Sequence, residues 1–459
     1  MYLLLLLFSL NLNAQEKLPD SIQLKVETLA EAFLEQTNTP GISIAVSKNG
    51  SIIYAEGFGY ANIEEAIKMD TSSKLRTASV AKVITATALG RLASEGKLDF
   101  DAPINQYVPY INQTYAHLTT RQLAGHTAGL AHRPKGERYK KKQYDNIQET
   151  VGLMKAPLLF DPDTDYKYST HAYNLLAAVI EGASGETYLE YMENAIFKPL
   201  EMTNTAAEHI KKLTKQDAQI YYVRKGKSHL EKITNASYKI PGAGFRTTPS
   251  DLVKMMEAYS NGFISEKIVQ DMFASHELKN GTKTNVGITW RSSFDPFDHR
   301  VIEHAGSWRG ARTVIVHFPD ENLNISLMVN ANCQVLIEET AHIFAEVIRN
   351  KMPEKSTIKL STKAVSVTFN AEKGKEVYDG TFSFNGTQGA LMTKSDGFLK
   401  SNPIYYLGSE QHYTMATRHG LVYMQLEVTN NLSGQLFIYS NRLPHNPKFE
   451  PAMVTFMNK

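Results

Sequence analysis

The order of strand-like and helix-like segments in the first 350 residues is the feature that most constrains the fold. Strand-like runs flank Asn49-Gly50, and others follow near residues 285–290, 313–318 and 325–329. Between them, apolar residues recur at helical spacing through most of residues 106–280. Because a sheet must bury a face against other elements, this order predicts one α/β domain with an inserted helical region.

Three further segments support this organisation. Apolar residues at helical spacing predict helices over residues 21–36, 79–95 and 338–349. The Asn49-Gly50 pair predicts a β-hairpin, because these residues tolerate the backbone of a tight two-residue turn. The first domain, over residues 15–350, is therefore expected to be of the α/β class.

The pattern changes after residue 350. A polar stretch, residues 351–364, predicts a linker. In residues 365–459, short apolar and aromatic runs are separated by Asn-Gly, Asp-Gly, His-Gly and Ser-Gly pairs, which predicts a small antiparallel β domain. The length of 459 residues agrees with two domains, since it exceeds what one compact core usually serves.

Charge and cysteine content exclude several classes of protein. The chain has 49 Lys and Arg against 47 Asp and Glu, a net charge of +2, so the basic excess typical of nucleic-acid-binding proteins is missing. The single cysteine, Cys333, excludes an intramolecular disulfide and a cysteine-based zinc site. We expect no nucleic-acid partner, no cofactor and no metal.

The first residues predict a signal peptide. Met1 to Leu10 are mostly apolar, too few to span a bilayer but enough for the apolar core of a signal, with cleavage after Ala14. No later stretch has 18 consecutive apolar residues. We therefore expect residues 1–14 to be removed and the protein to be exported, periplasmic or secreted, without stable membrane insertion.

Motifs narrow the chemistry mainly by exclusion. The chain has no G-x-S-x-G elbow, no H-E-x-x-H and no G-x-G-x-x-G, which removes the usual support for several hydrolase and nucleotide-binding classes. Ser-x-x-Lys occurs three times, starting at Ser79, Ser94 and Ser356, where chance predicts about two occurrences. The motif alone therefore decides nothing.

Context favours Ser79 among the three serines. Ser79 opens a long apolar helix, so Lys82 shares its face, and the helix N-terminus favours an oxyanion. A lysine that acts as a base near pH 7 needs its pKa lowered by roughly 3 units from about 10.4, which burial or a second cation can supply. From these residues alone, a helix-capping Ser79 with a solvated Lys82 remains an open alternative.

Further segments bear a family resemblance in collinear order over about 310 residues. They are Pro40-Gly41-Ile42, Gly57 to Tyr60, Arg76 to Lys82, Glu95 to Asp99, Thr120 to Leu130, Tyr168-Ser169-Thr170, Asn174 to Gly185, Pro199 to Met202, Gly242 to Asp251 and His304-Ala305-Gly306. The set resembles the serine β-lactamase and penicillin-binding protein superfamily, particularly its class C-like branch. It is most similar there to serine β-lactamase-like proteins of the mitochondrial type and their bacterial relatives.

The resemblance implies a fold and roles for individual residues. The fold would be the β-lactamase/transpeptidase type, an antiparallel sheet flanked by helices with an additional helical region, and Ser79 would be the acylated nucleophile. Lys82 and Tyr168 would share the work of the base, with Tyr168 also protonating the leaving group, and either can hold the proton at rest. The backbone N–H groups of Ser79 and Ser307 would form the oxyanion hole.

The remaining implied roles concern substrate binding. His304 would occupy the position that binds a substrate carboxylate or acts electrostatically, and Gly306 would allow a strand to approach the substrate closely. Two residues depart from the family pattern. Thr170 replaces the usual Asn, which removes an amide contact to the substrate. His304 replaces Lys, which predicts weaker, pH-dependent carboxylate binding near neutrality.

These departures favour a function other than efficient penicillin hydrolysis. We expect a serine hydrolase that cleaves amides or esters of small or peptide substrates, as a D-amino-acid peptidase, carboxypeptidase or esterase does. A β-lactamase is the alternative within this class, and a non-catalytic binding or scaffolding protein on the same fold is the alternative outside it. The oligomeric state and the role of the C-terminal β domain are left open by the sequence.

Overall fold

The computed structural model describes residues 17–133, 142–295, 297, 299–333 and 337–351, and, beyond residue 355, the backbone of the strands. Residues 1–16, which contain the predicted signal peptide, lie outside the described residues. Among the residues that are described, no helix combines the length and apolar character that crossing a membrane requires.

The described helices all precede residue 350. They are α1 (Asp20–Thr37), α2 (Ala81–Ser94), α3 (Gln113–Ala116), α4 (Thr120–Ala124), α5 (Ile147–Val151), α6 (Ala172–Ser184), α7 (Tyr188–Tyr191), α8 (Ile240–Ala243), α9 (Pro249–Glu257), α10 (Glu266–Phe273) and α11 (Ile337–Arg349). The helices predicted over residues 21–36, 79–95 and 338–349 correspond to α1, α2 and α11.

The described strands fall into two groups. The first comprises β1 (Gly41–Lys48), β2 (Ser51–Asn62), β3 (Ile67–Lys68), β4 (Leu75–Arg76), β5 (Ala206–Ala207), β6 (Tyr221–Arg224), β7 (Lys227–Leu230), β8 (Phe245–Thr247), β9 (Arg291–Phe294), β10 (Arg300–Trp308), β11 (Ala311–Phe318), β12 (Leu323–Val329) and β13 (Ala331–Asn332). The second comprises β14 (Ser356–Leu360), β15 (Val365–Ala371), β16 (Val377–Phe384), β17 (Gly389–Ser395), β18 (Phe398–Tyr406), β19 (His412–Thr417), β20 (Gly420–Val428), β21 (Ser433–Ser440) and β22 (Pro451–Asn458).

A seven-stranded antiparallel sheet organises the first group, in the order β3-β2-β1-β12-β11-β10-β9. Strands from both ends of the domain thus meet at β1 and β12, as expected when the helical region is an insertion between them. The hairpin predicted at Asn49-Gly50 joins β1 to β2.

The period-2 alternation of the strands places the sheet between two hydrophobic layers. Ile42, Ile44 and Val46 of β1 pack in one buried cluster with residues of α1 and α11. Ala45 lies in the other cluster, with the apolar residues of α2, α6 and α9. The sheet is therefore covered by helices on both faces, which confirms the predicted fold class.

One predicted strand was wrong. Residues 285–290 form bends and contribute only an isolated bridge from Val286 to Arg291, where the strand begins. Asn285 and Thr289 have φ values of 57° and 73°, in the left-handed region that strands do not use. The apolar residues there are buried as turn residues, so hydrophobicity alone did not distinguish them from a strand.

Beyond residue 355 the strands close into a barrel, in the order β14-β20-β19-β18-β17-β16-β15-β22-β21. Neighbouring strands are antiparallel, except that β14 pairs with β20 in parallel. β14 falls inside the stretch predicted as a linker. The domain boundaries drawn from the sequence stay predictions.

Candidate active site

Ser79 lies in a 3₁₀ turn, Ala78–Val80, that leads directly into α2. The preceding residue, Ala78, has a φ of 45°, a left-handed conformation that costs a non-glycine residue roughly 1–2 kcal/mol. Backbone outliers of this kind persist where surrounding contacts hold them, and they cluster at functional sites. The turn leaves Ser79 partly exposed on a cleft of about 420 Å³.

Lys82, one helical turn after Ser79, is completely buried. Its Nζ lies 3.3 Å from Ser79 Oγ and donates to the carbonyl oxygen of Gly242 at 2.6 Å. Burial, together with the positive charge of Arg291, holds the pKa of Lys82 well below its ordinary value. A neutral amine in this position can accept a proton from the Ser79 hydroxyl.

Tyr168 lies beside Ser79 in the cleft, carried by the segment before α6. Its ring centroid is 5.0 Å from Lys82 Nζ. Desolvation raises the pKa of Tyr168, and a side-chain interaction with Ser79 opposes that rise. The lowered pKa of Lys82 favours a neutral amine, and the raised pKa of Tyr168 favours a protonated phenol.

His126 positions the segment that carries Tyr168. Its Nδ1 accepts a hydrogen bond from the Ser169 N–H at 3.3 Å, and its carbonyl accepts one from Lys167 N–H at 2.8 Å. Its ring centroid is 4.4 Å from that of Tyr168. Through these contacts His126, which has a φ of 63°, braces its own loop against the Tyr168 segment.

Gly306 of β10 meets the turn that holds Ser79. A Cβ at this position would lie 2.5 Å from the Thr77 carbonyl oxygen and 2.7 Å from the Ser79 nitrogen, both backbone atoms. The glycine is thus required by the approach of β10 to the nucleophile's own backbone. β9 pairs only with the start of β10, Arg300 to Glu303, so on that side the described structure shows no partner for Ser307.

Two predicted substrate-binding residues differ in their placement. Thr170 lines the cleft, and its N–H donates to His132 Nδ1 at 3.3 Å. His304 is 1% exposed and is not part of the cleft wall. Burial and the charges of Arg291 and Lys82 hold the pKa of His304 well below its ordinary value, so the titration expected near neutrality is not supported.

Sequence reasoning missed the cationic residues of the cleft wall. Lys239, Arg291, Arg312 and Arg133 all line it, together with Trp308. None belongs to a motif, and each stands in a different loop or strand, so only the fold brings them together. Arg291 is paired with Glu338 at 3.2 Å, across from the Ser79 turn.

A buried ion-pair network anchors the floor of the site. Glu208 accepts hydrogen bonds from Arg76 at 2.6 and 2.7 Å and from Arg246 at 2.9 Å. Arg76 immediately precedes the Thr77 to Ser79 turn, and its guanidinium lies 4.2 Å from the Trp308 ring centroid. The network ties β4, β8 and the start of α2 to the end of β10.

Together these groups provide what acyl transfer requires: a hydroxyl, a neutral amine within reach of it, and a phenol beside it. The Ser79 N–H faces Gly306 of β10, beside Ser307, where an oxyanion would be bound.

Comparison with known proteins bears on this arrangement. The model of the Beta-lactamase family matches residues 26–343. The serine beta-lactamase-like protein LACTB, mitochondrial, of Homo sapiens is 29% identical over 306 residues, covering 51% of this chain and 56% of that protein.

Two solved structures share the fold. The octameric penicillin-binding protein homologue from Pyrococcus abyssi covers 94% of this chain and 99% of its own, with a TM-score of 0.61 and 19% identity. D-amino acid amidase from Ochrobactrum anthropi SV3, complexed with L-phenylalanine amide, covers 72% of this chain and 98% of its own, with a TM-score of 0.61 and 20% identity.

Proposed function

Since the chain belongs to the Beta-lactamase family, we propose that it is a serine hydrolase that cleaves amide or ester bonds through an acyl-enzyme on Ser79. The observation that carries the proposal is the placement of Ser79 Oγ, which is 3.3 Å from the amine of Lys82 and shares the cleft with Tyr168. The similarity to an amidase of the same fold supports amides among the substrates.

Acylation begins with proton transfer from the Ser79 hydroxyl to the neutral amine of Lys82 as Oγ attacks the carbonyl carbon. The carbonyl oxygen becomes an oxyanion and is stabilised by the N–H groups of Ser79 and Ser307. When the tetrahedral intermediate collapses, Tyr168 donates its proton to the leaving group, and the proton on Lys82 restores that of Tyr168.

Deacylation uses the same groups in reverse roles. A water attacks the acyl carbon, gives its proton to the base and releases the carboxylic acid, while Ser79 Oγ recovers a proton from Lys82 or Tyr168. The neutral resting state of both groups suits this cycle, since neither must first lose a proton to solvent.

Intact-mass analysis after incubation with a fluorophosphonate tests the proposal. We expect one adduct on the wild type and none on Ser79→Ala. Ser94→Ala is the matched control, because Ser94 begins a second Ser-x-x-Lys sequence but donates to the Gly90 carbonyl oxygen inside α2; it should label like the wild type. Folded wild-type protein without an adduct would favour the binding-protein alternative.

A further inference from the structure

The wall of the cleft carries a local surplus of positive charge. Among the described residues that line it, four are cationic, Arg133, Lys239, Arg291 and Arg312, and one, Glu338, is acidic. The net charge of the whole chain is only +2. The positive charge is therefore concentrated at the cleft, since the chain as a whole is not strongly basic. A cleft with this charge favours an anionic ligand.

Lys239 is the cation of this wall whose charge the described protein compensates least. Its side chain is only 8% exposed, and in the described part of the chain no carboxylate lies within ion-pair distance of it. The contact that holds its ammonium is the face of Trp308, whose ring centroid is 3.5 Å from Nζ. Burying an ammonium without a counterion is costly, and a cation–π contact offsets only part of that cost.

Nearby acids do not compensate this charge. Glu208 is already bound by Arg76 and Arg246. Arg76 and Arg133 also act on Lys239, and their charges have the same sign as its own. Burial and these neighbours lower the pKa of Lys239 well below its ordinary value, and a bound anion would reverse that effect.

The charged groups divide the cleft into two ends. Arg291 pairs in register with Glu303 in the first half of β10 and forms an ion pair with Glu338, and both charges act on the pKa of Tyr168. Trp308, whose ring contacts Lys239, is the last residue of β10, past Gly306 and Ser307. Because Tyr168 is the group that protonates the leaving group, the leaving group lies at its end, and the acyl group extends toward Lys239.

We propose that Lys239, held on Trp308, is the binding residue for an anionic acyl group, so that the preferred substrates are half-esters or half-amides of dicarboxylic acids. This inference rests on the proposed serine hydrolase function. The free carboxylate supplies the counterion that Lys239 lacks, and the reaction releases the dicarboxylic acid. A charge-assisted hydrogen bond between carboxylate and ammonium in this desolvated setting favours the acidic substrate by about tenfold or more.

The test compares two substrates that differ only in charge: mono(4-nitrophenyl) adipate and its methyl-capped diester. We expect the wild type to prefer the acid by about tenfold or more in kcat/KM. In Lys239→Met this ratio should fall about tenfold, whereas Lys239→Arg, which keeps the charge, should retain most of it. Lys212→Met, which removes an exposed lysine, is the matched control and should keep the wild-type ratio.

Two results would overturn the inference. One is an equal rate for the two adipates, or a preference that Lys239→Met leaves intact. The other is a stronger preference for a carboxylate on the leaving group, measured with 3-carboxyphenyl hexanoate against phenyl hexanoate. Failure of the hydrolase proposal is recognised separately, because the neutral diester would then be turned over equally by wild type and Ser79→Ala.

Discussion

Replacing Gly306 by alanine tests whether the approach of β10 to the nucleophile's turn sets the geometry of the site. The new Cβ would lie 2.5 Å from the Thr77 carbonyl oxygen and 2.7 Å from the Ser79 nitrogen, whereas ordinary contacts begin at 3.4 Å. Strand and turn must therefore separate by roughly 0.7–0.9 Å. Because both obstructing atoms are backbone, no side chain can move away instead.

The Ser79 N–H and the end of β10 are the two sides of the expected oxyanion hole. The separation would move them apart. A misplacement of about 1 Å at a reacting centre costs on the order of 10²-fold in rate, or about 2.7 kcal/mol of transition-state stabilisation. We expect the second-order rate of fluorophosphonate labelling of Gly306→Ala to fall by about that factor. Overpacking should also lower the free energy of unfolding by about 1–3 kcal/mol.

Gly57→Ala separates the local effect from general destabilisation. A Cβ at Gly57 would lie 2.6 Å from the Asp70 nitrogen, a clash of the same kind, but Gly57 is on β2, near the opposite edge of the sheet from β10. We expect it to lower stability similarly and to label at nearly the wild-type rate. The reasoning fails if Gly306→Ala labels as fast as the wild type, or if Gly57→Ala loses labelling to the same extent.

Three further outcomes follow from the site. Tyr168→Phe removes the hydroxyl beside Ser79 and should slow ester turnover by about 10²–10⁴-fold with thermal unfolding unchanged. Retained turnover would remove Tyr168 from the mechanism. Activity should rise with pH through the lowered pKa of Lys82, because only the neutral amine is a base. Arg291→Gln removes a cation that lowers this pKa, so the rising limb of the pH–kcat/KM profile should move to higher pH. An unmoved limb would contradict this. Glu208→Gln leaves buried Arg76 without its carboxylate partner, and Arg246 with only its longer contact to Asp217. It should lower the free energy of unfolding by about 3–5 kcal/mol in denaturant titrations, whereas Glu95→Gln, at a partly exposed pair with Arg91, should cost at most about 1 kcal/mol.

Local patterns in the sequence were sufficient for the elements that depend on short-range order. The periodicity around residues 21–36, 79–95 and 338–349 predicted α1, α2 and α11, and Asn49-Gly50 predicted the hairpin between β1 and β2. Such elements are encoded by apolar residues that recur every 2 or 3.6 positions and by residue types that favour tight turns. Both signals are visible in the sequence itself. The strand predicted over residues 285–290 was wrong because a buried bend and a buried strand can have the same apolar composition.

The sequence by itself also determined the Ser79–Lys82 pair, since three residues of spacing place both side chains on one helical face. Only the tertiary structure decided what that pair can do. The burial that lowers the pKa of Lys82 comes from packing of α2 against α6 and α8, and Tyr168, which shares the cleft with Ser79, is 89 positions away from it in the chain. Likewise His304, which the resemblance predicted to bind substrate, is buried and does not line the cleft, while Lys239, without any motif, lines it. Burial and electrostatic potential at a point depend on every group packed around it, and those groups are contributed by segments far apart in the sequence.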